Sequence, residues 1–365
     1  MANTVSTIAA PAYSLHIGDD AFSQLEGFLK KGKFSSVFIL VDENTLQHCL
    51  PQLVTRVKKL TDAEIIELES GEKNKTVEVC TQVWRVLGEL GADRHSLLIN
   101  LGGGVITDMG GFIASTFKRG IAFVNIPTTL LAQIDASVGG KTGVDLDGLK
   151  NEVGVFANPK QVIIFPGFLR TLSRREMLSG FAEALKHGLI ADESYWEMLK
   201  SVNLADTVDW EELITRSVKI KLSIVENDPQ ETGARKALNF GHTIGHALET
   251  YFLERAQKTL LHGEAVAIGM ICEAFLSVRI AGLNEAVLND ITKVLLWLYG
   301  PQELEDEADH RLIELMRHDK KNEKSEINFT LLESAGKAVI NKKASAKDII
   351  EALHYYRFSA RHLHS

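Results

Sequence analysis

Cysteine is scarce in this chain, with three in 365 residues. Cys49, Cys80 and Cys272 are scattered and show no Cys-x-x-Cys spacing. An odd, sparse set excludes a disulfide framework and fits a reducing compartment, so a cytoplasmic protein is expected. Long apolar runs are also missing. The longest, residues 265–278, is interrupted by Glu273 and is too short to span a bilayer, so no membrane partner is expected. Residues 1–10 lack a basic start followed by an apolar stretch, and no signal peptide is expected. Nor is there an excess of positive charge. Forty Lys and Arg against 48 Asp and Glu leave a net charge of −8, which argues against nucleic acid as a partner. An anionic ligand would have to be held by a local basic cluster. There is no internal repeat and no low-complexity segment.

Three familiar motifs are absent as well. The glycines after residues 97–101, Gly102-Gly103-Gly104, do not follow G-x-G-x-x-G. The segment Val138-Gly139-Gly140-Lys141-Thr142 resembles the end of a P-loop, but the motif needs glycine where this chain has Asp135. There is no H-E-x-x-H, so nothing points to a metalloprotease.

What is present is the composition of a soluble globular protein, 45% apolar and 24% charged. Short apolar runs at 37–42, 65–66, 97–101, 121–126 and 162–165 read as buried parallel strands. Residues 46–60 and 76–90 between them read as helices. Strands alternating with helices predict an α/β layer with a largely parallel sheet. After about residue 172 helical patterns take over, apart from a strand-like segment near 327–332. Ser173-Arg174-Arg175-Glu176 has the form of a capping box opening a helix. The expected organisation is an α/β nucleotide-binding domain over 1–172 and a mostly helical metal- and substrate-binding domain over 173–365.

Glycines following a strand and opening a helix suit either a phosphate or a tight turn. Asp42 ends the first apolar run, where it can accept hydrogen bonds from a ribose. Lys141 is expected on a flexible loop. Glu183, Lys186 and His187 share a helix face, His242 and His246 lie one helical turn apart, and His262-Gly263-Glu264 follows. Two histidines and a carboxylate form the ligand set of an open catalytic zinc site. Lys186, Lys221, Arg235 and the Asp319-Lys320-Lys321 run can together hold a small substrate carrying phosphate and carboxylate.

These segments resemble the 3-dehydroquinate synthases. The resemblance rests on Gly102-Gly-Gly-Val-Ile-Thr-Asp108, Pro127-Thr-Thr-Leu-Leu-Ala-Gln-Ile-Asp135 and Ser137-Val-Gly-Gly-Lys-Thr-Gly143. It continues through Lys150-Asn151, Ala182-Glu-Ala-Leu-Lys-His-Gly188, Asn239-Phe-Gly-His-Thr-Ile-Gly-His246, His262-Gly-Glu-Ala265 and Asp319-Lys-Lys321. Every motif is in order from about Asp42 to Lys321. The resemblance implies Zn²⁺ or Co²⁺ on Glu183, His242 and His262. It implies an NAD site lined by Asp42, Asn44, Glu72, Lys75, Gly103, Gly104, Val105 and Asp108. Thr128, Thr129, Leu131, Phe168, Thr171, Leu172 and Glu176 complete that lining, with Asp135, Lys141, Lys150 and Asn151 between cofactor and substrate. Lys186, Lys221, Arg235, Asn239 and His246 would surround the substrate, and Lys320 or Lys321 would close over it. Arg119 would reach the phosphate held by a neighbouring subunit, which implies a homodimer.

The implied activity converts 3-deoxy-D-arabino-heptulosonate 7-phosphate into 3-dehydroquinate and phosphate, a step of the shikimate pathway to aromatic amino acids. It proceeds by NAD-dependent oxidation, phosphate elimination, reduction, ring opening and aldol closure. The alternatives are another sugar phosphate cyclase, a metal-dependent polyol dehydrogenase, and a non-catalytic NAD- or metal-binding regulator. Lys221, Arg235, Asn239 and His246 keep the pattern that favours the acid substrate. Two departures are Ala136 where a serine is common and Glu152 where methionine is common. Glu176 is claimed by both the capping box and the NAD site.

Overall fold

The computed structural model describes residues 5–147, 149–204, 206–255, 259–318 and 327–362. Lys320 and Lys321, expected to close over substrate, lie outside the described residues. The chain forms two compact units, one of Met1–Met177 with Asp209–Leu222, the other of Leu178–Val208 with Ser223–Ser365.

The first unit holds seven strands in one sheet: β1 (Ser6–Ala9), β2 (Ser14–Ile17), β3 (Val37–Asp42), β4 (Glu64–Leu68), β5 (Leu97–Gly102), β6 (Ala122–Pro127) and β9 (Gln161–Ile164). Their order is β1-β2-β9-β6-β5-β3-β4. β1 runs antiparallel to β2, and every other pairing is parallel. The predicted apolar runs became β3, β4, β5, β6 and β9; all but β4 are covered on both faces, whereas β4 is an edge strand with Ile65 exposed. Period-two alternation sends Ile39, Val41, Ile99 and Leu101 into one core with the helices Ala21–Lys31 and Leu50–Arg56. Phe38, Leu40, Leu98 and Phe123 enter a second core with the helices Val77–Glu89 and Gly104–Thr116.

Two local expectations fail. The single helix expected over 46–60 is broken into Glu43–His48, Leu50–Arg56 and a 3₁₀ turn, Lys58–Leu60. Pro51 has no N–H to give a continuing helix and sits instead in the first turn of a new one, where that donor is not needed. The loop expected to present Lys141 is a hairpin of β7 (Lys141–Leu146) and β8 (Leu149–Phe156), with Lys141 opposite Phe156. Thr142 and Val144 face inward and Lys141 outward. Gly111 permits this packing, because a Cβ there would lie 2.5 Å from Thr142 Cγ2.

Among its described residues the second unit is mostly helical, with one hairpin of β10 (Ile327–Ser334) and β11 (Lys337–Ala344). Its helix His262–Ile280 is apolar nearly all round and buried along most of its length. No helix among the described residues is long and apolar enough to cross a membrane.

Candidate active site

In the first unit, β5 runs through Gly102 into the helix Gly104–Thr116. Gly103 is the N-cap, and no side chain caps this helix or places an acid in its first turn. The first-turn N–H groups therefore remain available to an anion, with the helix dipole in favour. A Cβ on Gly103 would come 3.1 Å from Thr129 Cγ2, so the backbone surface here is kept bare within a tight surround. The Thr128 N–H donates to Gly102 O at 3.0 Å, and Thr129 Oγ1 accepts from the Ala132 N–H at 3.2 Å. Thus Gly103, Gly104, Val105, Thr128 and Thr129 meet at the ends of β5 and β6.

Asp108, one turn along the same helix, accepts from Lys75 Nζ at 2.7 Å. Lys75 is buried and also donates to Asn151 Oδ1 at 2.8 Å. Burial works against its charge, but Asp108, Glu72 and Asp145 more than compensate and raise its pKa. Burial likewise raises the Asp108 carboxyl, opposed by Lys75. Asn151 has a left-handed backbone (φ 53°), and its N–H donates to Asp145 Oδ1 at 2.8 Å. Lys150 Nζ lies 3.5 Å from Glu72 Oε1. Five of the predicted residues, Glu72, Lys75, Asp108, Lys150 and Asn151, thus form one polar cluster. Nearby, Lys221 Nζ contacts Asp135 twice, at the carboxylate (2.7 Å) and the backbone carbonyl (2.7 Å).

Other predicted residues of this unit stand apart. Asp42 caps the helix Glu43–His48, its Oδ1 accepting from the Thr45 N–H at 2.8 Å, with Asn44 exposed beside it. The Phe168 ring is buried against Phe22 and Phe165, and its N–H donates to Phe165 O at 3.2 Å. Thr171 Oγ1 donates to Phe168 O at 3.2 Å, and Leu131 and Leu172 are half-buried. Glu176 gives its N–H to Ser173 Oγ at 3.2 Å, one half of the expected capping box. Exposed Arg119 is left-handed (φ 69°), directly after left-handed Lys118 (φ 49°).

The second unit gathers the predicted metal ligands. Glu183 is fully buried on the helix Arg174–Ala191. Its Oε1 lies 3.5 Å from His242 Nε2 and 3.4 Å from His262 Nε2. One donor atom from each of the three residues falls within 4.8 Å of the others. The outward nitrogens are both occupied. His242 Nδ1 lies 3.1 Å from Phe240 O, and His262 Nδ1 lies 3.2 Å from Glu249 Oε2. That leaves both Nε2 atoms facing the same carboxylate, a donor set that fits a divalent ion with open positions. Lys186 Nζ pairs with the other oxygen of Glu183. Burial, aided by Lys186, lowers the His242 pKa well below the usual imidazole value. Burial also opposes charge on His262, but Glu249 and Glu183 push it up to about 10. The His246 ring sits 5.1 Å from His242 and 6.0 Å from His262.

Arg235 and Asn239 are set on a separate turn. Arg235 Nη1 donates to Pro229 O at 2.8 Å, and Asn239 Nδ2 to Glu231 Oε1 at 2.9 Å. Asp228 ties the turn by accepting from the N–H groups of Thr232, Gly233 and Arg235.

Sequence reasoning overlooked Asp145, Asp228, Glu231, Glu249 and Glu273. Glu249 carried a readable signal, since it follows His242 and His246 at helical spacing on one face. Asp145 and Asp228 carried none, because the hairpin and the turn that aim them are not encoded by a period.

The profile described as 3-dehydroquinate synthase N-terminal matches residues 65–179, and that described as 3-dehydroquinate synthase C-terminal matches residues 180–322. A 3-dehydroquinate synthase of Parabacteroides distasonis is 47% identical over 344 residues, covering 93% of this chain and 96% of the relative. One from Campylobacter concisus is 40% identical over 348 residues, covering 95% and 97%. Among solved structures, 2-epi-5-epi-valiolone synthase from Streptomyces hygroscopicus, with NAD⁺ and Zn²⁺ bound, is 26% identical with a TM-score of 0.77, covering 97% of this chain and 99% of that one. Glycerol dehydrogenase from Schizosaccharomyces pombe shares the fold alone, at 14% identity and a TM-score of 0.66, covering 99% and 93%.

Proposed function

The chain belongs to the 3-dehydroquinate synthase family, and from that premise we propose that it converts 3-deoxy-D-arabino-heptulosonate 7-phosphate into 3-dehydroquinate and phosphate. The structural observation that carries the reading is the convergence of Glu183 with the two Nε2 atoms of His242 and His262. These residues would hold Zn²⁺ or Co²⁺. The bare first turn at Gly103, Gly104 and Val105 would hold the NAD pyrophosphate, with Asp42, Lys75, Asp108, Thr128 and Thr129 around the rest of the cofactor. When bound, NAD supplies reversible hydride transfer and the ion supplies Lewis acidity toward hydroxyl oxygens.

The chain's own residues position and neutralise. Lys141, Lys150, Lys221 and Arg235 bring positive charge to a substrate that carries both phosphate and carboxylate. The contacts to Asp135 and Pro229 hold Lys221 and Arg235 in fixed poses, so little side-chain entropy is lost on binding. Glu231 does the same for Asn239. His246 stands beside the metal ligands, where it can move a proton. In this reading residues 1–172 are the NAD-binding domain and 173–365 the metal- and substrate-binding domain. The protein works in the cytoplasm as a homodimer, Arg119 of one protomer reaching the phosphate held by its partner. Two successive left-handed non-glycine residues at Lys118 and Arg119 support a functional use of that turn, because such strain persists where it is put to work.

A substrate panel tests the proposal. Phosphate release is measured with Zn²⁺ and trace NAD on 3-deoxy-D-arabino-heptulosonate 7-phosphate, sedoheptulose 7-phosphate and glucose 6-phosphate. A site whose cations are placed to meet a carboxylate loses those contacts with the other two, so kcat/KM for the acid should lead by at least ~100-fold. Equal or faster turnover of a neutral sugar phosphate would move the chain to another cyclase activity.

A further inference from the structure

The helix His242–Leu253 presents His242, His246 and Glu249 along one face. Glu249 is 3% exposed, and its carboxylate takes the Nδ1 side of His262 while the Nε2 side faces Glu183. The His262 ring is thus spanned by two carboxylates on opposite edges. The helix that begins with His262 returns a carboxylate of its own. Fully buried Glu273 accepts from the Gly241 N–H at 2.6 Å and the Ile244 N–H at 3.1 Å, closing the first turn of the helix that begins with His242. Each histidine-bearing helix therefore fixes the histidine end of the other. The two helices come close enough because Gly269 has no side chain, and a Cβ there would lie 2.0 Å from Gly241 O.

We propose that Glu249 is a positioning residue of the metal site, holding His262 through Nδ1 so that Nε2 stays on the point shared with Glu183 and His242, with Glu273 fixing His242 in return. The proposal rests on the ligand reading above. A carboxylate on the far nitrogen sets the tautomer and ring plane of a ligating histidine and makes its other nitrogen a better donor. Both glutamates act before any ion arrives, because their hydrogen bonds form within the protein alone. His246, Glu249 and His262 also bring donor atoms within 4.8 Å of one another, so direct ligation by Glu249 is the competing arrangement.

The test uses the full chain. Zn²⁺ affinity is measured by chelator competition, and Co²⁺ is titrated in with its visible spectrum recorded. Glu249→Gln keeps the shape and removes the charge. It should weaken Zn²⁺ binding 10- to 100-fold, on the order found for such outer partners, with NAD affinity unchanged. At saturating Co²⁺ its band intensity should match the parent protein, since the ligands themselves are intact. Should Glu249→Gln fail to fold, Glu249→Asp, which withdraws the carboxylate from Nδ1, carries the same expectation. Zn²⁺ affinity within about twofold of the parent would overturn the proposal. So would a Co²⁺ spectrum showing a changed ligand number, which would make Glu249 a ligand. His242→Ala is run in parallel, and unchanged metal affinity in that variant would instead overturn the ligand set on which the proposal stands.

Discussion

Replacing His242 with alanine should abolish stoichiometric zinc binding and turnover together, while NAD still binds. His242 contributes one of two Nε2 atoms that face Glu183 Oε1, at 3.5 Å. Burial and nearby Lys186 lower the pKa of this imidazole, which favours the neutral form that ligates a metal. Alanine leaves one histidine and one carboxylate, with Lys186 already paired to the same carboxylate. A bound ion is worth several kcal/mol as a Lewis acid. At about 1.4 kcal/mol per tenfold, its loss lowers kcat on the order of a thousandfold or more. Metal content by atomic absorption, together with phosphate release, decides the matter. Full zinc with full activity in the variant would remove His242 from the ligand set. The residues proposed for NAD lie in the other compact unit, so unchanged NAD affinity shows that the effect is confined to the unit that holds His242.

The second large effect is expected at Lys75. This buried ammonium donates to both Asp108 and Asn151, which links the helix Gly104–Thr116 to the β7–β8 hairpin. Lys75→Met leaves Asp108 without its counter-ion. Breaking one side of a buried pair costs about 3–5 kcal/mol. Asp108 keeps a side-chain exposure of 21%, so water recovers part of that and a loss near the lower end, about 3 kcal/mol, is expected. The urea midpoint should fall and NAD binding should weaken with it. Lys73→Met, at an exposed neighbour, should stay within about 0.5 kcal/mol of the parent. Adding Asp108→Asn to Lys75→Met should restore part of the loss, because the stranded charge is then gone. An unshifted midpoint in the single variant would show that the pair contributes nothing to the fold.

Legibility in the sequence followed burial. β3, β5, β6 and β9 are covered on both faces, so their apolar runs stood out without any alternation. β1 and β2 are four residues each and pair at the sheet edge, too short to show a period. The β7–β8 hairpin was misread because Gly139, Gly140 and Lys141 have the texture of a loop, while only Thr142 and Val144 betray an inward face. The break at Pro51 was visible as a residue but was overridden by the apolar period around it. In the candidate site, the ligand triad was readable because two of its members begin helices with glycine neighbours. The partners Asp145, Asp228 and Glu273 were not, because each reaches its target through a turn or a helix crossing that local spacing does not encode.

The most direct measurement of the central claim follows one reaction in three ways. Purified protein with Zn²⁺ and substoichiometric NAD is given 3-deoxy-D-arabino-heptulosonate 7-phosphate. Phosphate release, absorbance at the NADH band and the organic product by NMR are then recorded together. The account predicts phosphate and 3-dehydroquinate in equal amounts, many turnovers per NAD, and no accumulated NADH. NADH rising in step with substrate consumption, or no phosphate released by a folded, metal-loaded sample, would contradict it.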